Sequence, residues 1–67
     1  MTLRRAVRIA LKEFAPSFVL GMNEGVLGAV LRTSWKPTVG TEHLHAALMN
    51  ASDTELHAVA HEILEEM

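Results

Sequence analysis

Apolar residues recur every three or four positions along most of this chain, which is the spacing of one face of an α-helix. β-branched residues are few and scattered, and no alternating apolar stretch indicates a strand. The pattern therefore predicts an all-α protein of three or four helices. Its 67 residues are enough for one domain, so we expect residues 1–67 to form a single helical unit.

The first helix has the most regular pattern. Thr2 is a suitable N-cap, and Pro16 is expected to end or kink the helix after Ala15. At about 100° per residue, the apolar side chains share one side of this helix: Leu3, Ala6, Val7, Ala10, Leu11 and Phe14. The basic side chains share a stripe on the other side: Arg4, Arg5, Arg8 and Lys12. Ile9 is the exception, because it falls among the charged residues.

Residues 17–35 are apolar on most sides and contain glycine at positions 21, 25 and 28. Glycine inside a helix costs about 1 kcal/mol relative to alanine, so these glycines need a structural reason. In one interpretation, Asn23 caps a helix over residues 24–33. In the other, one long helix uses its glycine face for close approach to a second backbone. We favour the break, because Asn-Glu is a typical helix start.

The acidic half is predicted to contain two further helices. Residues 35–40 include a proline and form a connector. Thr41 is an acceptable cap for a helix over residues 42–49, and Ser52 with Glu55 fits the capping box of the last helix. The apolar face of that last helix is predicted to contain Leu56, Val59, Ala60, Ile63 and Met67.

Size and composition favour self-association. A chain of this length buries only about 60% of the surface exposed when unfolded. It has no cysteine for disulfides, yet 49% of its residues are hydrophobic. A homodimer with a shared core is the simplest way to cover the surplus, because twofold dimers are the commonest oligomers.

We expect no membrane segment and a cytoplasmic location. The most apolar stretch, residues 18–31, is shorter than the roughly 20 residues of a membrane-spanning helix. Arg8, Lys12 and Glu13 interrupt what would be the apolar part of a signal peptide.

Charge is distributed very unevenly along the chain. All six Lys and Arg residues lie within the first 36 positions, whose formal charge is +4, while the remainder is −6. This asymmetry indicates either a basic surface that meets an anionic partner, or two halves that attract each other within or between chains.

Four histidines lie in the acidic half, and His57 and His61 are spaced for one side of a helix. They are the candidate metal ligands, but a zinc site needs three or four ligands and no third has suitable spacing. We therefore interpret them as boundary residues beside the apolar stripe, and expect no metal and no cofactor.

Catalysis is not expected. Each serine has a local role available as a turn or cap residue, and no Gly-Lys-Ser/Thr follows the glycines to form a phosphate loop. A chain this short also has little room for a substrate pocket. We therefore expect that the protein is not an enzyme.

The basic side of the first helix is the candidate binding surface. Arginine and tryptophan are enriched among residues that dominate protein–protein binding energy. The predicted protein-binding set is Arg4, Arg5, Arg8, Ile9, Lys12, Phe18 and Trp35. Contact with DNA phosphates is the alternative, but the pI of about 6.0 is unlike the strongly basic domains that bind nucleic acid.

Residues 39–48 carry a local resemblance to a known family. The run Val-Gly-Thr-Glu-His-Leu, followed by Ala-Ala-Leu at 46–48, resembles the repeat in the N-terminal domain of Clp-type AAA+ unfoldases. In that family the run opens a helix, and the domain docks adaptors and substrates. His45 departs from the family's apolar preference, and the family domain has two repeats. The resemblance implies an all-helical protein-docking module without an active site.

Together these patterns predict a small homodimeric accessory protein that modulates, inhibits or recruits another protein. The alternative is a small DNA-binding transcriptional regulator that uses the basic first helix. A second alternative is a histidine-based metal-binding module.

Overall fold

Five helices form the part of the chain that the computed structural model describes, residues 2–34 and 36–66. They are α1 (Thr2–Leu11), α2 (Pro16–Leu20), α3 (Glu24–Thr33), α4 (Glu42–Asn50) and α5 (Asp53–Glu66). No strand occurs within those ranges, so the all-α prediction is confirmed. The predicted number of three or four helices is wrong, because residues 16–20 form a short helix of their own. Trp35 lies outside the described residues.

Helix α1 ends before the proline that was expected to stop it. Its last residue is Leu11, and the following amides bond three residues back, as in Phe14 N to Leu11 O at 3.1 Å. Pro16 then occupies the first turn of α2, where its missing N–H costs no intrahelical hydrogen bond. Thr2 is the first residue of α1, so the prediction that it precedes the helix as a cap is wrong.

Helix α3 begins after a break in the helical structure near Asn23, as the favoured interpretation predicted. The Asn23 side-chain oxygen accepts a hydrogen bond from the Val26 N–H at 2.8 Å, which caps a helix over Glu24–Thr33. The alternative of one long helix through residues 17–35 is therefore wrong.

Thr41 occupies the N-cap position of α4 as predicted, but its side chain makes no capping hydrogen bond to the helix. The Thr41 hydroxyl accepts a hydrogen bond from the Thr38 N–H at 2.8 Å and donates one to the Thr38 carbonyl oxygen at 3.0 Å, so it bonds to the preceding loop. The Gly40 N–H instead donates to the Glu42 carboxylate at 3.0 Å. Gly40 has a φ of 96°, a left-handed conformation that favours glycine. At the start of α5, Ser52 Oγ accepts a hydrogen bond from the Glu55 N–H at 3.1 Å, as predicted.

The core lies where α1 packs against α4 and α5, and where α3 packs against α5. Every helix contributes buried apolar side chains, and α2 contributes Val19. The predicted apolar side of α1 is confirmed, since Ala6, Val7, Ala10 and Leu11 are buried. Ile9 is half-buried and packs against this core, so its expected position among the exposed charges is wrong.

Arg32 joins α3 to the turn between α4 and α5. Its guanidinium donates to the Asp53 carboxylate at 2.7 Å and to the Ala51 and Leu48 carbonyl oxygens at 2.7 and 3.3 Å. Gly28 makes room for this arrangement, because a Cβ there would clash with the carboxylate and lie 3.0 Å from the guanidinium. The short α4–α5 turn is thereby fixed against α3.

Across the described ranges, no helix has both the length and the apolar character needed to span a bilayer.

Candidate protein-binding groove

A groove of about 500 Å³ lies between the C-terminal ends of α1 and α5 and the start of α2. We call it the α1–α5 groove. Apolar residues make up most of its lining: Leu11, Phe14, Pro16, Ile63 and Leu64. Charged residues complete it: Arg8, Lys12 and Glu66.

The lining of the groove changes from apolar at the bottom to charged at the rim. Leu11 and Ile63 are buried and form the bottom, while Phe14 and Leu64 are half-buried along the sides. All three charged residues are exposed at the rim. The chain turns at residues 12–15, between α1 and α2, and this turn brings Phe14 alongside the end of α5. The result is an apolar cleft with a mostly cationic edge.

Ion pairs connect the basic helix to the acidic helix beside this groove. Arg4 bonds to Glu62 at 3.2 Å and also to Glu66, and Arg8 lies 3.8 Å from the same Glu66 carboxylate. The hydrogen bond to Glu66 is the main reason that the pKa of Arg4 is raised, so this guanidinium stays charged. Some of the positive charges of the first half of the chain are therefore paired with negative charges of the second half.

The structure separates the predicted cations into three groups. Arg8 and Lys12 line the groove. Arg4 is held by the two carboxylates of α5 and does not line it. Arg5 is exposed on the same helix, outside the groove, and has no ion pair among residues 2–34 and 36–66.

The predicted apolar anchors are dispersed. Ile9 packs against the core on the far side of the cation stripe from Arg4, as helical geometry requires. Phe18 is 53% exposed and lies beside the groove, with its ring centroid 6.1 Å from that of Phe14. Trp35 falls outside the described residues.

Sequence reasoning missed the apolar lining. It assigned Leu11, Phe14 and Ile63 to core-facing stripes without showing that one end of those stripes stays open. One signal was present, because Leu64 is apolar but lies off the predicted face of the last helix. An apolar residue just beside a core stripe is typical of a surface cleft between two helices.

The two candidate metal ligands stack on one another. The rings of His57 and His61 have centroids 4.2 Å apart and an angle of 28° between their planes. Both side chains are half-buried, and His61 Nε2 is buried without a hydrogen-bond partner in the described part of the chain. No set of three His, Cys, Asp or Glu residues placed to hold a metal occurs in that part.

The groove offers binding chemistry. Its lining residues within the described ranges include no serine, threonine, cysteine or histidine that could act as a nucleophile or general base. They supply apolar surface for a large side chain and two cations for an anionic group.

No protein-family model, no curated protein and no solved structure matches this chain. The groove and the charges around it are therefore the features from which a function can be argued.

Proposed function

We propose that this chain is a non-enzymatic protein-binding module that docks a segment of another protein in the α1–α5 groove. By occupying that segment it modulates, inhibits or recruits its partner. The observation that carries the proposal is an apolar cleft between two helix ends with Arg8 and Lys12 at its rim. Binding hot spots combine these elements, namely apolar pockets that exclude water and arginine beside them.

The charge arrangement favours a protein partner over duplex DNA. Of the four cations predicted to bind a partner, Arg4 is already paired with Glu62 and Glu66, and Arg8 faces Glu66. Each phosphate contact requires a cation that can replace condensed counterions. Carboxylates at the same surface repel a phosphate backbone, whereas they are ordinary at the rim of a protein interface.

The local resemblance of residues 39–48 to the Clp-type repeat supports the same class of function, because that repeat belongs to a docking domain. It adds no binding residue to the proposal, since the groove is formed by α1, α2 and α5.

We also propose that the chain forms a homodimer through the segment around α2. Phe18, Leu20 and Val26 are each about half exposed, and all three lie within nine residues of one another. A standard interface buries about 800 Å² per partner. That is roughly a fifth of the 4150 Å² surface of this chain, and we place these three side chains at the centre of an interface of that size.

Site-specific photo-cross-linking tests the groove as the docking site. Phe14 lines the groove and would be replaced by p-benzoylphenylalanine, which preserves an aromatic ring. The matched control carries the same residue at Val39, which is 97% exposed and outside the groove. In cells that produce the chain, we expect position 14 to give one dominant protein adduct that position 39 does not give. Equal adducts at both positions, or adducts at position 39 alone, would contradict the proposal.

A further inference from the structure

The rim of the α1–α5 groove carries two cationic side chains, Arg8 and Lys12. Arg8 Nη2 lies 3.8 Å from Glu66 Oε2, beyond the roughly 2.7–2.9 Å of a charge-assisted hydrogen bond. Lys12 is exposed, and neither cation donates a side-chain hydrogen bond to any residue within 2–34 and 36–66. A guanidinium has five N–H donors and an ammonium three.

Glu66 shows what kind of group this rim attracts. It is the acidic member of the lining, and its carboxylate is hydrogen-bonded by Arg4 from outside the groove. Arg8 is drawn toward the same carboxylate without reaching bonding distance. A second carboxylate that entered the groove could bind Arg8 in the bidentate geometry that arginine favours.

The positions of Arg8 and Lys12 define the second requirement. Arg8 lies on α1, Lys12 directly follows the last residue of that helix, and both side chains line the groove. The apolar bottom formed by Leu11 and Ile63 lies beside them. A ligand that fills this site needs an apolar side chain flanked by carboxylates at a similar separation.

A neutral or basic segment of a partner protein would fit the α1–α5 groove poorly. Filling the apolar bottom removes water from the rim, and a cation that loses water without gaining a partner destabilises the complex. A free phosphate also fits poorly, because it leaves the apolar bottom empty.

We propose that the occupant of the α1–α5 groove is an acidic amphipathic segment of a partner protein. One large apolar side chain enters between Leu11 and Ile63, and carboxylates three or four residues from it bind Arg8 and Lys12. This inference rests on the proposed function and names the chemistry of its partner. Because the rim is exposed, association is expected to slow as ionic strength rises.

A displayed library of random 12-residue peptides, selected on the wild-type protein, tests this chemistry. We expect enriched sequences to carry Asp or Glu three or four positions from Leu, Ile, Phe or Trp. Lys12→Glu should weaken their binding at least tenfold, which corresponds to about 1.4 kcal/mol. Arg5→Glu is the matched control, because it makes the same charge change at an exposed residue of α1 outside the groove. Its effect should stay within about threefold, since only long-range attraction is lost.

The remaining outcomes separate this inference from the proposed function. Leu64→Gln and Pro16→Glu both alter the lining, and the exposed Pro16 serves if the first variant fails to fold. Peptides that lose affinity for these variants, but lack acidic residues and tolerate Lys12→Glu, would overturn the acidic partner and leave the groove as a docking site. Peptides that bind all lining variants normally would overturn both.

Three further results would also count against the inference. Equal weakening by Arg5→Glu and Lys12→Glu would show non-specific attraction. A synthetic peptide of residues 53–66 that binds as tightly as the selected peptides would identify a second copy of this chain as the occupant. Duplex DNA that binds more tightly than any selected peptide, with the same dependence on Lys12, would assign the rim to nucleic acid.

Discussion

At the scale of single residues, the contact between Gly28 and the Arg32–Asp53 pair shows how neighbouring side chains can require a glycine at one position of a helix. Gly28 is buried at the middle of α3, where glycine normally weakens a helix. The Asp53 carboxylate occupies the space that a Cβ would need, and Arg32 holds that carboxylate in place. The glycine therefore permits an ion pair between two helices.

This contact predicts opposite effects for two glycine substitutions in the same helix. Gly25→Ala adds a methyl group near only the Asn23 side chain, so we expect the free energy of unfolding to rise by up to about 1 kcal/mol. Gly28→Ala must displace the carboxylate, so we expect a fall of about 1–2 kcal/mol, despite better helix propensity. Urea denaturation monitored by circular dichroism measures both values.

Removing the carboxylate provides the control for this comparison. In an Asp53→Ala background only the flexible Arg32 guanidinium, 3.0 Å from the added Cβ, must still shift, so the destabilisation by Gly28→Ala is expected to disappear. If Gly28→Ala stabilises the wild-type chain as Gly25→Ala does, the close approach described above is not what requires glycine.

At the scale of helices, short-range signals in the sequence predicted where α3, α4 and α5 begin. Asn23 marked the start of α3, and Ser52 marked the start of α5. The apolar side of α1 followed from helical spacing alone. Such features depend on residues within about one turn of each other, so no knowledge of the tertiary structure is needed.

Other element-scale features could not be predicted for physical reasons. Helix α2 has five residues, too few to show a helical period, and its proline was interpreted as a stop although it begins a helix. Thr41 had a suitable identity for a cap, but its hydroxyl bonds to the preceding loop. Ile9 lies at the edge of two faces, and only the position of α4 beside α1 decides which face buries it.

The groove was beyond prediction because it joins distant parts of the chain. Leu11 and Leu64 line it together, although they are far apart in sequence. The spacing pattern within each helix indicates which side is apolar but not where that side stays uncovered. The cations Arg8 and Lys12 were predicted as binding residues, and the apolar surface that accompanies them was not.

At the scale of the whole molecule, ion pairs within the chain balance part of the charge asymmetry. Arg4 and Arg8 face Glu62 and Glu66, so the basic and acidic halves attract each other within one chain. Exposed pairs of this kind contribute little to stability, and salt screens them. Arg5, Lys12 and Lys36 form no ion pair with any residue that the structure describes.

The proposed dimer gives a prediction about molecular mass. Light scattering on an eluting peak should give about twice the 7.4 kDa mass of the chain. Phe18→Glu should return the monomer mass, because it places a charge in the proposed interface. Met49→Glu is the matched control, since Met49 on α4 is equally exposed and lies outside the segment around α2. A monomer at all concentrations, with a melting temperature that does not change on dilution, would contradict the dimer.

Methyl NMR spectra of the protein, recorded while a selected acidic peptide is added, test the central claim most directly. We expect the methyl signals of Leu11, Ile63 and Leu64 to shift most, because these side chains line the α1–α5 groove. The signals of Leu44 and Leu48, which are buried on α4 and do not line it, should change little. Largest shifts on α4, or equal small shifts throughout the chain, would show that the groove is not the docking site.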